Sequence, residues 1–475
     1  MITFSVALIL LVAGYFLYGK LMERVMKPDA NATTPAVAHP DGVDYIAMPG
    51  WKLFMIQFLN IAGLGPIFGA IMGAKFGVSA YLWIVLGTIF GGAVHDYVSG
   101  MVSLRNNGES LPEITGRYLG NGMKQFSRVF TAIILVLVCA VFVSGPAELL
   151  EDLTGWNIYL LMGLVMLYYL LATILPIDKI IGKIYPLFAF CLLFMAFGVL
   201  ITLYVLMPDL PEITEGLTNT QPDPDTYPIF PMMFISIACG AISGFHATQS
   251  PLVARCMTNE KQGRSIFYGA MVAEGIVALI WAAAAIWYFQ ENGYAENNAA
   301  IVVDKVTRDL LGTVGAVIAI LGVVAAPIST GDTALRSCRL IIADILHYPQ
   351  AKIKSRLAIA IPIYAFVIVF LVISVVLPDG FNIIWRYFAW SNQTLAVMTL
   401  WAMTVFLYQA GKPYVITLVP AVFMTWVTTS YILFAPEGFG VAYYPSMICG
   451  LVAAFALMGL FYYRAVYLDK KTLKK

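Results

Sequence analysis

Charged residues are scarce in this 475-residue chain, and their scarcity excludes an ordinary soluble enzyme. Lys, Arg, Asp and Glu together make up 12% of the sequence, against about 25% in a typical soluble domain. Hydrophobic residues make up 60%, and the mean hydropathy is +0.82. A bilayer-spanning helix needs about 20 mainly apolar residues, so the composition predicts an all-α polytopic membrane protein.

Other missing features narrow the function further. The 28 basic and 27 acidic residues give a formal net charge of +1, so we expect no nucleic-acid partner. The six cysteines form no CxxC pair, so neither disulfides nor a metal site is predicted, and no cofactor is expected beyond a coupling ion, H⁺ or Na⁺. The first apolar run is followed by basic residues instead of being preceded by them, which is the reverse of a secretory signal peptide.

Apolar runs of spanning length predict about 13 transmembrane helices. The predicted spans are residues 2–19, 47–73, 80–103, 126–147, 157–175, 184–207, 229–254, 266–289, 310–332, 357–377, 382–408, 414–434 and 442–463. Alternate connecting loops collect Lys and Arg, and such loops stay in the cytoplasm. The pattern therefore predicts an outside N-terminus and a cytoplasmic C-terminus.

Two of these spans interrupt their apolar runs with glycine, proline and polar residues near mid-membrane. Proline removes a backbone donor, and unwound backbone at this depth is tolerated only where it lines a cavity. The second and seventh spans therefore predict a substrate site whose candidate residues are Asn60, Gly63, Gly65, Ser243, His246, Thr248 and Gln249. The alternative is that the ladder of Gly65, Gly69 and Gly73 is a groove for helix packing.

The positions of the interrupted spans predict an inverted repeat. They lie five helices apart and so cross the membrane in opposite directions, as in inverted-topology transporters. Spans four and nine also correspond, because both carry a proline and a carboxylate near their C-terminal ends. We predict a LeuT-like 5+5 architecture: a first helix and loop (1–46), a core (47–408, with repeats 47–207 and 228–408), and two peripheral helices with a basic tail (409–475).

An oxygen-rich cluster near the end of span nine is a candidate coupling site. Ser329, Thr330 and Asp332 follow Pro327, and their oxygens suit either a small hard cation or a proton. The alternative is that Asp332 only pairs with Arg336, one helical turn later, at the inner end of the span. Arg336 is also a candidate gating residue.

Few other polar or ionisable side chains lie within the spans. His95 and Asp96 are either a proton relay or a structural pair, because successive helix residues point in different directions. A metal site built from His95 and His246 lacks a third ligand, and Glu274 stands alone in span eight. Asn392 and Gln393 of span eleven either line or gate the cavity or join helices through hydrogen bonds.

Four blocks in order along the chain resemble the carbon starvation protein A (CstA) family. They are GTIFGGAVHDYV (87–98), SLRNNGES (103–110), PISTGDTALR (327–336) and FAWSNQTLA (388–396). The resemblance runs from about residue 50 to residue 409, and this chain looks like a compact member. It implies an inner-membrane secondary transporter of LeuT-like fold, in a family associated with uptake of peptides and, in some members, pyruvate.

The residues and the resemblance together predict a secondary active transporter and no enzymatic activity. It would import short peptides or small carboxylates such as pyruvate by alternating access, coupled to a proton or sodium gradient. Its partners would be that substrate and the lipid bilayer, with the oligomeric state open. The alternatives are a nutrient sensor of transporter fold and a passive channel, which favours continuous pore-lining helices and repeated polar rings.

Overall fold

Helices account for nearly all regular structure, as expected for a chain that must bond its backbone internally within a membrane. A computed structural model describes residues 1–174, 181–350, 352–377 and 380–468, and no β-strand occurs among them. The end of the predicted fifth span at residue 175 and the tail from residue 469 lie outside the described residues. The predicted fold class, an all-helical membrane protein, is confirmed.

The helices of eight or more residues are numbered here in chain order. They are α1 Ile2–Met26, α2 Gly50–Ile61, α3 Gly65–Ala74, α4 Ser79–Arg105, α5 Leu111–Leu119, α6 Asn121–Thr154, α7 Ile158–Ile174, α8 Ile181–Leu206, α9 His246–Ala254, α10 Gly269–Asn292, α11 Ala299–Leu346, α12 Ile353–Val376, α13 Gly380–Gln409, α14 Val415–Phe434 and α15 Tyr443–Phe461. Shorter helical turns are Pro35–Ala38, Ile213–Glu215, Ile229–Met233, Phe234–Ser236, Glu260–Gln262, Arg264–Tyr268 and Tyr462–Leu468. Within α4, residues Gly87–Gly92 form a π-helical turn.

Length and hydropathy decide which helices are able to cross a bilayer. Nine helices of the described residues satisfy both criteria, and the bent pair α2 and α3 makes a tenth if it is one span. Helices α1, α8, α12 and α15 expose most of their apolar side chains, as lipid-facing helices do, whereas α4 and α10 are almost fully buried. The exact count of 13 helices and the inverted repeat stay predictions.

Both spans that the glycine and proline pattern predicts to be interrupted contain a break, but in the seventh span the polar residues 246–251, which were expected within the break, are helical. The axes of α2 and α3 differ by 46° across residues 62–64. The seventh predicted span is helical at Phe234–Ser236, non-helical over residues 237–245, and helical again in α9. Two stretches of backbone are thus freed from helical hydrogen bonding in the middle of the bundle.

The glycine ladder of α3 holds the two interrupted spans together. A Cβ atom on Gly69 would lie 2.8 Å from the Ser236 carbonyl oxygen, and one on Gly73 would lie 2.1 Å from the Ile237 side chain. A Cβ atom on Gly65 would likewise meet Cys239 at 2.4 Å. The ladder is therefore a packing groove, as the alternative interpretation proposed, and it brings the unwound segment 237–245 beside α3.

Candidate functional site

Asn392 of α13 stabilises the unwound segment of the seventh span. Its side-chain oxygen accepts hydrogen bonds from Ser243 Oγ (3.0 Å) and from the Phe245 backbone N–H (2.7 Å). Its amide nitrogen donates to Cys239 Sγ at 3.3 Å, and its backbone carbonyl accepts from the Gly244 N–H at 3.2 Å. Of the two roles considered for Asn392, the contacts are those of a residue that joins helices.

Gly244 lies where two backbones nearly touch. A Cβ atom there would be 2.1 Å from the Ala396 backbone nitrogen and 2.5 Å from the Asn392 carbonyl oxygen. Neighbouring Gln393 reaches the same span, because its Nε2 donates to the Phe234 carbonyl oxygen at 3.4 Å. Helix α13 therefore contacts the unwound segment through side-chain hydrogen bonds and also through its backbone.

Four ionisable side chains from α4, α9 and α10 meet in a fully buried cluster, which we call the His–Asp–Glu cluster. It consists of His95, Asp96, His246 and Glu274, each with a relative exposure of 0%. Asp96 Oδ1 lies 2.7 Å from His95 Nδ1, and Asp96 Oδ2 lies 2.8 Å from His246 Nδ1. His246 Nε2 lies 3.4 Å from Glu274 Oε2. The adjacent residues His95 and Asp96 thus do contact each other, and Asp96 also bridges to the interrupted span.

Buried amide side chains near both breaks have polar atoms without a hydrogen-bond partner, and Gln393 Oε1 is one of these atoms. Gln57 and Asn60 lie one turn apart on α2, and neither end of either side chain is bonded. Gln249 of α9 donates to Thr248 Oγ1 at 2.9 Å, but its Oε1 is unbonded. Buried polar groups are normally satisfied, so unbonded atoms at a helix break mark a position for a ligand or water.

The space beside these amides is nearly closed. Asn60, Leu252, Val253 and Thr333 line a cavity of about 10 Å³ between α2, α9 and α11. A single water needs roughly this much volume, so the cavity beside Asn60 has no room for an organic molecule.

The oxygen cluster of α11 meets the first break. Thr330 Oγ1 donates to the Leu59 carbonyl oxygen at 3.1 Å and to the Ala326 carbonyl at 2.9 Å, and Ser329 Oγ donates to Ala326 at 2.6 Å. A Cβ atom on Gly63 would lie 3.0 Å from Thr330 Oγ1. Asp332, two residues beyond Thr330, is fully buried. The structure thus brings Thr330 and the carbonyl end of α2 together.

Arg336 forms an ion pair with Asp44, a residue far away in the sequence. Its Nη1 donates to Asp44 Oδ1 at 3.1 Å, and its Nη2 donates to the Ala172 carbonyl oxygen at 2.7 Å. Arg339 Nη2 lies 4.0 Å from Asp44 Oδ2. Asp44 belongs to the loop between α1 and α2, so this loop closes the end of the bundle where the basic residues gather, which we call the basic end.

Burial raises the pKa of the Asp44 carboxyl group, but nearby guanidinium groups outweigh that effect. Arg336, Arg339 and Arg255 together hold its pKa below the ordinary value of 3.8. The stabilisation that the ion pair gives is therefore present above that ordinary value and is lost only as the pH falls through the lowered pKa. Near neutral pH, Asp44 is therefore ionised, and its attraction to the guanidinium groups holds the loop between α1 and α2 in place.

Replacing Asp44 by asparagine is expected to open the basic end. Cys256 reports on this, because its buried Sγ lies 3.6 Å from the Asp44 carbonyl oxygen. Removing one partner of a buried ion pair costs several kcal/mol, so Cys256 alkylation in a variant without the other cysteines should quicken by about tenfold or more. The exposed Asp29→Asn serves as the control in the same loop, and equal rates in the two variants would contradict the prediction.

The opposite end of the bundle is less completely filled. A cavity of about 130 Å³ lies there, between α3, the C-terminal part of α6 and the N-terminal ends of α11 and α13. Its lining includes Phe68, Glu148, Asn298 and Trp385. One end of the bundle thus holds the buried Asp44–Arg336 ion pair, and the other holds this cavity beside α3.

Several of these residues escaped prediction from the sequence. Gln57 had a signal, because it lies on the same helix face as Asn60, three residues earlier. Glu274 is isolated in the sequence, and only the packing of α10 brings it to His246. Asp44 lies in a polar loop without any motif. Among the described residues, no group of three or more His, Cys, Asp and Glu side chains has the arrangement of a metal site.

Comparison with known sequences confirms the resemblance that the four sequence blocks indicated. A model of the family described as Carbon starvation protein CstA matches residues 1–158, 145–311 and 294–431. An uncharacterized membrane protein of Haemophilus influenzae is 40% identical over 61% of this chain and 92% of that protein. The peptide transporter CstA of Campylobacter jejuni is 26% identical over 87% of this chain and 77% of its own length. The pyruvate/proton symporter BtsT of Escherichia coli is 27% identical over 56% of this chain, a match that spans 46% of BtsT.

Solved structures share the fold. A variant of the manganese transporter of Eremococcus coleocola superposes with a TM-score of 0.59 at 12% identity, covering 90% of this chain and 98% of that chain. The transporter MhsT in complex with L-phenylalanine gives a TM-score of 0.57 at 12% identity, over 86% and 98% of the two chains. At this identity the likeness concerns the fold alone, which is that of LeuT-like multi-pass membrane transporters.

Proposed function

This chain belongs to the carbon starvation protein CstA family, and on that premise we propose that it is a secondary active transporter. The proposal is that it imports a small carboxylate such as pyruvate, or a short peptide, by alternating access. Named relatives are transporters of peptides or of pyruvate with a proton. Both substrate classes carry a carboxylate, which the unbonded amide nitrogens of Gln57 and Asn60 suit as donors.

One observation carries the proposal. Unbonded atoms of Gln57, Asn60 and Gln249 lie at two helix breaks, and α9 joins one of those breaks to the buried His–Asp–Glu cluster. A channel or a sensor requires no such pairing of an unsatisfied polar site with ionisable groups inside the membrane. A transporter does, because substrate and coupling ion must bind to the same conformational states.

The His–Asp–Glu cluster supports a proton as the coupling ion. Its members are histidine and carboxylate side chains, which take up and release protons, and they come from α4, α10 and the interrupted span itself. Sodium is the second candidate, favoured by Thr330 Oγ1 at 3.1 Å from the Leu59 carbonyl oxygen. Hydroxyl and carbonyl oxygens are ligands that hard cations prefer.

Uptake into proteoliposomes tests the proposal. The purified protein is reconstituted, and labelled pyruvate and a labelled dipeptide are offered separately under an inward pH gradient and under an inward sodium gradient. We expect accumulation of one substrate class under the pH gradient and collapse of that accumulation when an uncoupler is added. Protein-free liposomes serve as the control.

Each other outcome has a definite meaning. Accumulation under the sodium gradient alone would indicate that sodium is the coupling ion and that it binds near Thr330. Equilibration without accumulation under either gradient would indicate a passive channel. No substrate movement by a protein that remains folded and monodisperse would contradict the proposed function and favour the sensor alternative.

A further inference from the structure

The His–Asp–Glu cluster requires one proton beyond the two that His95 and His246 hold in their hydrogen bonds to Asp96. With Asp96 ionised, its two oxygens accept from Nδ1 of both imidazoles, which places the first proton of each histidine on Nδ1. A neutral His246 then has an unprotonated Nε2 at 3.4 Å from Glu274 Oε2, close to it but not hydrogen-bonded. Two lone-pair atoms facing each other in a fully buried site repel. One further proton therefore resides on His246 Nε2 or on the Glu274 carboxyl group.

The two carboxyl groups of the cluster differ in their surroundings. Asp96 accepts two hydrogen bonds, which stabilise its ionised form. Neither oxygen of Glu274 accepts one from any described residue. The ionisable groups that face Glu274 from the described elements around it are His246 of α9, Asp96 of α4 and the Cys239 thiol of the unwound segment. Glu274 is thus the carboxyl group that depends on the extra proton.

We propose that His246 and Glu274 together hold the coupling proton, which makes Glu274 the residue that binds and releases it. The inference rests on the proposed function and assigns its proton to a pair of residues. On loading, a hydronium ion on one side of the membrane gives a proton to the Glu274 carboxylate: an O–H bond of the hydronium breaks, an O–H bond to Glu274 forms, and water is left. On release that bond breaks, and the proton passes to water on the other side.

His95 does not serve in the same way. Its Nδ1 is hydrogen-bonded to Asp96, and its buried Nε2 has no hydrogen-bond partner and no second carboxylate facing it among the described residues.

Loss of the extra proton from the His246–Glu274 pair would leave Asp96 and Glu274 both ionised at zero exposure. Two unsolvated negative charges are costly, so the proton leaves only when water reaches the site.

Helix α9 connects this proton to the substrate site. It is nine residues long, it begins at His246, and it carries Gln249 one turn later. The flanking segment 237–245 is not helical, so α9 is able to move as a short rigid unit. Loading the proton removes one negative charge from the cluster and so favours an anionic substrate nearby, and by reciprocity a bound anion favours the proton. Proton and substrate therefore bind together, as symport requires.

Proton movement measured directly tests the assignment. Proteoliposomes with an internal pH dye receive pyruvate or a dipeptide without an imposed pH gradient, and the wild type is expected to acidify the interior. Glu274→Gln keeps the size of the side chain but cannot release a proton. We expect it to exchange labelled substrate across the membrane, with no acidification and no accumulation under a pH gradient. The exposed Glu291→Gln on the same helix is the matched control and should behave as the wild type.

A second variant keeps the test decisive if Glu274→Gln does not fold. His246→Asn retains a donor towards Asp96 and removes the atom that faces Glu274, so it should lose acidification in the same way. Substrate-driven acidification by either folded variant at the wild-type level would overturn the assignment and leave the proposed function standing. A wild type that accumulates substrate without any acidification would overturn both the pair and the proton, whereas the transporter function would survive.

Discussion

Replacing Gly244 by alanine is expected to abolish transport and to lower the amount of folded protein. The added Cβ atom would lie 2.1 Å from the Ala396 nitrogen and 2.5 Å from the Asn392 carbonyl oxygen, and both are backbone atoms that cannot rotate away. Overpacking of this kind costs about 3 kcal/mol or more where the backbone itself must shift. Size-exclusion chromatography and thermal unfolding in detergent measure the loss of folded protein, and proteoliposome uptake measures the loss of transport.

A control glycine on a peripheral helix separates this effect from a general intolerance of alanine. Gly459 of α15 has nothing within 4 Å of its Cβ position, so Gly459→Ala should be neutral or slightly stabilising. If Gly244→Ala folds with the stability of the wild type and transports normally, α13 does not hold the unwound segment as closely as described. The attachment of Asn392 to that segment would then need another explanation.

Replacing Asn60 by leucine is expected to raise stability while it weakens substrate binding. The side chain is fully buried and neither its oxygen nor its nitrogen is bonded, so an apolar group of similar size removes an unsatisfied pair of polar atoms. A hydrogen bond to a charged substrate group contributes about 1.5–3 kcal/mol, so affinity should fall roughly tenfold to a hundredfold. Gln249→Leu should weaken the binding of a dipeptide, because the unbonded Oε1 is an acceptor that suits an ammonium group.

The opposite signs of the two effects make this prediction specific. A residue that only supports the fold would lose stability and affinity together. Thermal unfolding without substrate and binding by calorimetry or by ligand-dependent stabilisation give the two values. Thr399→Val is a suitable control, because the Thr399 hydroxyl is buried but bonded within its own helix to the Leu395 carbonyl oxygen. Unchanged affinity in both Asn60→Leu and Gln249→Leu would remove the amides from the substrate site.

The sequence by itself determined the fold class and the location of the unusual segments. Hydropathy is a local property, and a run of about 20 apolar residues has few other uses than to cross a membrane. Glycine and proline act on the backbone within a few residues of their own position, so the breaks at residues 62–64 and 237–245 were predictable. The four ordered blocks likewise sufficed to recognise the family.

Only the tertiary structure decided which side chains meet. Glu274 is 28 residues from His246 and Asp96 is 150 residues from it, and no local pattern relates them. Arg336 was considered as a partner of Asp332, and the structure shows that the loop carboxylate Asp44, 292 residues away, pairs with it. From the sequence, Asn392 could either line or gate the cavity or join helices, and its hydrogen bonds to Ser243 and Phe245 are those of a residue that joins helices. Such contacts depend on how helices pack and cross, which periodicity and composition along a single chain do not specify.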